Sequence, residues 1–144
     1  MSAPTAATGL GERQAKLQYL AIPPSAWQPM MWGTQTGVTA ATVSFNQVVA
    51  PVMLPDGAKI RELSCFGRFA KDNVGEAIRL RAIPHDATSG GPILGKAIVG
   101  ASSQVQRAEV KLDHQVDNFA SAYQIDAAFN GSPELRSCRI GYML

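Results

Sequence analysis

A chain of 144 residues with a formal net charge of +2 has the length of one domain, since domain sizes peak at roughly 100–150 residues. Its apolar share of 46% is too high for a disordered chain. Basic and acidic residues, 13 and 11, are interspersed along the sequence, without the clustered patch of a nucleic-acid binder, and no run approaches the roughly 18 apolar residues of a membrane helix. Charged residues make up only 17%, against about 25% on average. That sparse complement points to a surface partly covered by something other than water.

Residues 1–16 read as an extended N-terminal arm, rich in Ala, Thr and Gly and without periodicity. The stretch has neither the basic n-region nor the apolar h-region of a secretory signal. Residues 17–144 read as a single β-sandwich domain. Gln14–Ile22 fits a first strand or a helical turn, and Pro23-Pro24 ends it either way. Trp27-Gln28-Pro29-Met30-Met31-Trp32 then places large apolar groups in a proline-broken segment, suited to capping a core, meeting a subunit or contacting a ligand. Gly33 to Ala41 reads as a small-residue loop.

Thr42–Val49 alternates as a strand, and Pro51 marks an edge or a bulge. Pro55-Asp56-Gly57 is a turn: proline presets φ, the aspartate bonds nearby N–H groups, and glycine takes a conformation other residues resist. In the long strand that follows, Leu63, Cys65, Gly67 and Phe69 share the face expected to line the core, with Ser64, Phe66 and Arg68 opposite. Glu76–Ile83 alternates with Ile78, Leu80 and Ala82 inward and Arg79 and Arg81 outward. Ile93–Val99 is a weak strand with Gly95 inside it. Ala108, Val110 and Leu112 alternate with Arg107, Glu109 and Lys111. Tyr123, Ile125, Ala127 and Phe129 form one face of the next strand, and Leu135–Met143 is the last. The fold class is therefore all-β: an antiparallel, jelly-roll-like β-sandwich of about eight strands separated by Gly, Pro, Asn and Asp turns.

Ile22–Pro29 (I-P-P-S-A-W-Q-P), Ala50–Leu63 (A-P-V-M-L-P-D-G-A-K-I-R-E-L), Val116–Ile125 (V-D-N-F-A-S-A-Y-Q-I) and Cys138–Tyr142 (C-R-I-G-Y) resemble, in that order, a widespread, largely uncharacterised set of bacterial and phage β-sandwich proteins. The matching motifs are turns and core positions. The resemblance therefore implies a fold and carries over no catalytic residue.

Candidate chemistry is sparse. His85 and His114 each stand beside an aspartate at a strand end or loop, without the several converging ligands of a cupin-like metal site. Both read as exposed loop histidines. Glu62, Glu76, Glu109 and Asp126 could serve the two-carboxylate chemistry of a glycosidase, but their basic neighbours favour cross-strand ion pairing. Cys65 and Cys138 read as buried small hydrophobes; a disulfide requires their strands to be neighbours.

No catalytic residue, metal ligand or cofactor is expected. The leading expectation is a non-enzymatic structural subunit of a virion, such as a phage capsid decoration protein. It would be made in the host cytoplasm, form a trimer or another closed homo-oligomer, and bind a capsid protein through the arm, with no nucleic-acid or membrane partner. Leu10, Trp27, Met30, Met31, Trp32, Met143 and Leu144 are the interaction candidates, and the apolar C-terminus is expected to be buried, in the core or against a neighbour. The alternative is a carbohydrate- or receptor-binding β-sandwich module, with Trp27, Trp32 or Tyr123 as the sugar-stacking platform.

Overall fold

Hydrophobic alternation along the strands produces two antiparallel sheets packed face to face. The computed structural model describes residues 16–29, 35–38, 43–45, 47–69, 73, 75–87, 91–100, 104–129 and 133–144. Eleven strands run in chain order among them: β1 (Gln18–Ile22), β2 (Gln28–Pro29), β3 (Gln35–Val38), β4 (Val43–Phe45), β5 (Gln47–Val52), β6 (Lys59–Arg68), β7 (Ala77–Pro84), β8 (Ile93–Ile98), β9 (Gln106–Gln115), β10 (Ser121–Ala128) and β11 (Glu134–Met143). The first sheet has the order β3-β4-β11-β6-β9, with β1 also pairing β11; the second has the order β2-β5-β10-β7-β8.

The inward faces are those the alternation implies. Leu63, Cys65 and Phe69 from β6 and its end, Ile78 and Leu80 from β7, Ile125 and Ala127 from β10, and Leu135 and Ile140 from β11 are all buried in one core. β6 carries a register shift against β11 between Gly141 and Tyr142 and one against β9 between Ile60 and Glu62. Such a bulge lets Ile60 and Leu63, three positions apart, both face inward. At Gly95 on β8 the sheets approach closely: a Cβ would lie 3.3 Å from Val110 Cγ1 and 3.5 Å from a Leu112 methyl on β9.

Three expectations need correction. Thr42–Val49 is not one strand: the chain crosses between sheets between Phe45 and Gln47, with β4 in the first sheet and β5 in the second. The expected loop from Gly33 to Ala41 contains β3, whose small residues pair with β4. The turn at Pro55-Asp56-Gly57 does not join two paired strands, since β5 and β6 lie in opposite sheets. Pro51 sits on β5 beyond Val49, where pairing with β2 has ended, as a strand proline requires of at least one neighbour.

The cysteines also differ from expectation. Cys65 and Cys138 are directly opposed in the β6–β11 ladder and joined by a disulfide. Both belong to the buried core, so they do act as small hydrophobes, but as a bonded pair. Of the interaction candidates, Leu10, Met30, Met31 and Trp32 lie outside the described residues. Trp27 is buried in the core, following a single 3-10 turn at Pro24–Ala26; proline at the start of that turn leads the chain back over the sandwich. Met143 is half-buried and Leu144 is exposed, so the C-terminus is not buried in this chain's own core.

Candidate functional site

Of the carboxylates considered for catalysis, Glu62 and Glu109 stand on the first sheet and Asp126 on the second, while Glu76 precedes β7. On the first sheet, Tyr19, Gly141, Glu62 and Lys111 form one row across β1, β11, β6 and β9. Glu62 accepts a hydrogen bond from Lys111 Nζ and fills the space over Gly141, where a Cβ would lie 2.6 Å from its Cγ. The Lys111 ammonium, helped by the Tyr19 hydroxyl and Arg139 and opposed by burial, holds the Glu62 carboxyl below its ordinary value of 4.5. A depressed carboxyl stabilises the fold above its unfolded-state pKa, and that contribution is lost as pH falls through the folded-state value. Glu62→Gln is therefore expected to flatten the fall of stability with acid below about pH 4.5, measurable as urea midpoints across the acid range. Glu109 accepts from Ser64 Oγ and pairs with Arg107. On the second sheet Asp126 bridges Arg79 at 2.9 Å and Arg81 at 2.6 Å. Cross-strand ion pairing accounts for Glu62 and Asp126, whereas Glu109 pairs with Arg107 on its own strand and Glu76 accepts from Asn73.

The exposed aromatics differ in what covers them. Tyr19 on β1 has the Arg139 guanidinium 4.7 Å above its ring, and the same guanidinium lies 5.5 Å from the Phe66 ring. Tyr123, a proposed stacking platform, is 7% exposed. Its hydroxyl accepts the Asp117 N–H at 2.9 Å and lies 2.9 Å from His114 Nε2. His114 is accordingly a half-buried strand residue with a tyrosine partner, not an exposed loop histidine. Trp27, at 3% exposure, is no platform either. Phe119, by contrast, is 94% exposed.

Its position follows from the sequence Asp117-Asn118-Phe119 between β9 and β10. Asp117 Oδ1 accepts the N–H groups of Phe119 and Ala120, each at 3.1 Å, which closes a tight turn and points the following side chain outward. Asn118 ties that turn to two other loops. Its N–H donates to Asp56 Oδ1 at 2.8 Å, its side-chain amide donates to the Leu54 carbonyl at 2.9 Å, and its carbonyl accepts from His85 Nε2 at 3.0 Å. The Asp56 side chain was expected to bond backbone close by in sequence; it instead caps a turn 62 residues away. Gly57, with φ of +82°, allows its own N–H to reach the Val116 carbonyl at 2.8 Å. His85 N–H completes the lattice by donating to the Ala120 carbonyl at 3.0 Å.

Three loops are therefore fastened together at one end of the sandwich, with Phe119 at the outside. A cleft of about 310 Å³ at this end is lined by Pro51, Met53, Leu54, His85, Asn118 and Tyr123, and Met53 is 82% exposed. A polar hollow of about 420 Å³ is walled by Asp56, Gln115 and Asp117. Phe119 lines neither, but follows Asn118, which lines the cleft. Removing the Asn118 amide is expected to loosen this end locally, because a hydrogen bond of this kind contributes about 1 kcal/mol. Asn118→Ala should raise amide exchange at residues 117–121 roughly fivefold while leaving exchange of the β6 and β10 cores unchanged.

No protein-family model and no curated protein matches this chain. Solved structures do share its architecture. A family 6 carbohydrate-binding module from Clostridium cellulolyticum, in complex with xylose, aligns with a TM-score of 0.54 at 16% identity, covering 83% of this chain and 95% of that one. A family 29 carbohydrate-binding module from Piromyces equi gives 0.53 at 9% identity over 88% and 91%. The C-terminal family 6 module of a laminarinase from Zobellia galactanivorans gives 0.53 at 9% identity over 85% and 98%. At such identities the likeness is one of fold: this chain is an antiparallel β-sandwich of the architecture seen in carbohydrate-binding modules.

Proposed function

We propose that this protein is a non-catalytic carbohydrate-binding module that takes its ligand at the loop end, stacking a sugar ring on Phe119. The observation that carries this reading is a nearly fully exposed ring carried on a turn whose backbone is held by hydrogen bonds. An aromatic side chain left in water forgoes the gain of burial, and a turn already held in place adds little backbone ordering cost when a ligand arrives. The C–H face of a pyranose fits such a ring, while its hydroxyls need polar partners of the kind supplied by Asp56, His85 and Asn118. Similar folds among carbohydrate-binding modules raise the weight of this reading, although a shared fold does not assign function.

The disulfide adds to it. Disulfide bonds persist in oxidising surroundings such as the cell exterior, where polysaccharide is met. The virion-subunit reading would make Phe119 and Met53 protein contacts. It draws no support from the similar structures, and residues 1–15, on which its capsid attachment depends, lie outside the described residues. The deciding experiment is calorimetric titration of the full chain with soluble xylo-, cello- and laminari-oligosaccharides. Saturable binding of at least one is the expected result; absence of heat across the panel, with a folded protein, would overturn the assignment.

A further inference from the structure

The cleft at the loop end is lined by two kinds of side chain. Val52, Leu54 and Tyr123 are buried and form an apolar base, whereas Met53, His85 and Asn118 are exposed. Val52 and Tyr123 are direct partners in the β5–β10 ladder, so the sheet itself fixes that base. Asn118 and Ser121, on either side of Phe119-Ala120, line the same cleft. The turn that carries Phe119 is thus part of the cleft wall. Two polar groups of this wall have no partner among the described residues. The Asn118 carbonyl can only accept, so His85 Nε2, 3.0 Å away, carries the ring proton, and Nδ1 of the neutral imidazole is left as an acceptor. The half-buried Ser121 hydroxyl makes no hydrogen bond among the described residues.

A cleft of about 310 Å³ has room for more than a hydroxyl, since a water takes about 30 Å³ of the liquid. Against the apolar base a hydroxyl would give up hydrogen bonds to water, while a methyl group gains by burial. The wall adds one unused acceptor, His85 Nδ1, and one unused donor, the Ser121 hydroxyl. An acetamido group is the sugar substituent that joins a methyl to an N–H donor and a carbonyl acceptor. An O-acetyl ester has no N–H to give His85, and a hydroxymethyl group has no methyl to bury. We propose that the loop-end site selects 2-acetamido sugars. The acetamido methyl rests on Val52, Leu54 and Tyr123, its N–H donates to His85 Nδ1, and its carbonyl accepts from Ser121 Oγ, while the pyranose stacks on Phe119. This selectivity rests on the carbohydrate-binding reading of the same site.

The test is an NMR titration of the full chain with triacetylchitotriose and with cellotriose, trimers of one linkage that differ only in the acetamido groups. The signals followed are the Met53 methyl, the His85 ring and the Ser121 amide. Triacetylchitotriose should shift all three saturably and bind roughly tenfold more tightly than cellotriose, as a buried methyl and one hydrogen bond imply. Ser121→Ala removes a hydroxyl without a partner among the described residues and should cut that preference roughly fivefold. Ala122→Leu, at an exposed position lining the cleft, should bring the ratio of the two affinities close to one. Thermal melts check that both variants fold. Equal affinity of the two trimers, or a ratio indifferent to Ser121→Ala and to Ala122→Leu, overturns the acetamido preference and leaves stacking on Phe119 standing. Triacetylchitotriose shifts that bypass Met53, His85 and Ser121 overturn it as well. Binding of neither trimer overturns this proposal together with the loop-end reading.

Discussion

Replacing Phe119 with alanine is expected to abolish most oligosaccharide affinity while leaving the melting temperature unchanged. Full enclosure of an aromatic side chain buries about 150–250 Å². Stacking engages one face, roughly a third of that area, which at about 25 cal/mol per Å² contributes some 1–2 kcal/mol. The corresponding loss is roughly five- to thirtyfold in affinity. The ring is 94% exposed and fills no part of the core, so stability should move by less than about 0.5 kcal/mol. Phe119→Tyr and Phe119→Trp keep the face and should retain binding, which separates loss of stacking from a disturbed loop. Calorimetric titration beside thermal melts provides both readouts. Unaltered affinity in Phe119→Ala would show that the ligand, if bound, sits elsewhere.

Cleavage of the Cys65–Cys138 bond should have the opposite profile, a large effect on stability with the loop end intact. The bond closes a loop across a sequence separation of 73, for which chain entropy alone gives about 4.4 kcal/mol, and removal of native disulfides commonly costs about 2–5 kcal/mol. It also ties two neighbouring strands of the first sheet, β6 and β11. The double variant Cys65→Ala, Cys138→Ala is expected to melt roughly 10 °C lower than the parent. Both cysteines are buried, so reductant should act slowly on the native protein and quickly once urea opens it. Equal melting temperatures with and without reductant, after thiol counting has confirmed reduction, would remove the bond from the account of stability.

How far the fold was legible depended on whether a signal was local. Leu63-Cys65-Gly67-Phe69, Ile78-Leu80-Ala82 and Tyr123-Ile125-Ala127-Phe129 each declare their buried face through alternation alone, because a strand with one face in the core must repeat every two residues. Alternation does not say which sheet a strand joins. That is why β4 and β5 read as one strand. The disulfide and the Glu62–Lys111 pair depend on which strands are neighbours, and no local pattern contains that. Trp27 and Phe119 exchanged roles for a related reason. A tryptophan in a proline-broken segment resembles a surface anchor until the chain is seen to turn it inward. Phe119 was hidden inside a motif, Val116-Asp117-Asn118-Phe119, that reads as turn chemistry. The available signal was a bulky ring immediately after two turn formers, a place where the backbone points a side chain into water.

The central claim is that a sugar ring docks at the loop end. NMR titration of the labelled full chain with neutral xylo- and cello-oligosaccharides, following the Phe119 ring and the amides of Met53, His85 and Asn118, addresses it most directly. Saturable shifts confined to those residues and their cleft are the predicted result. A silent Phe119, with shifts absent or gathered only on the outer sheet faces, would contradict it.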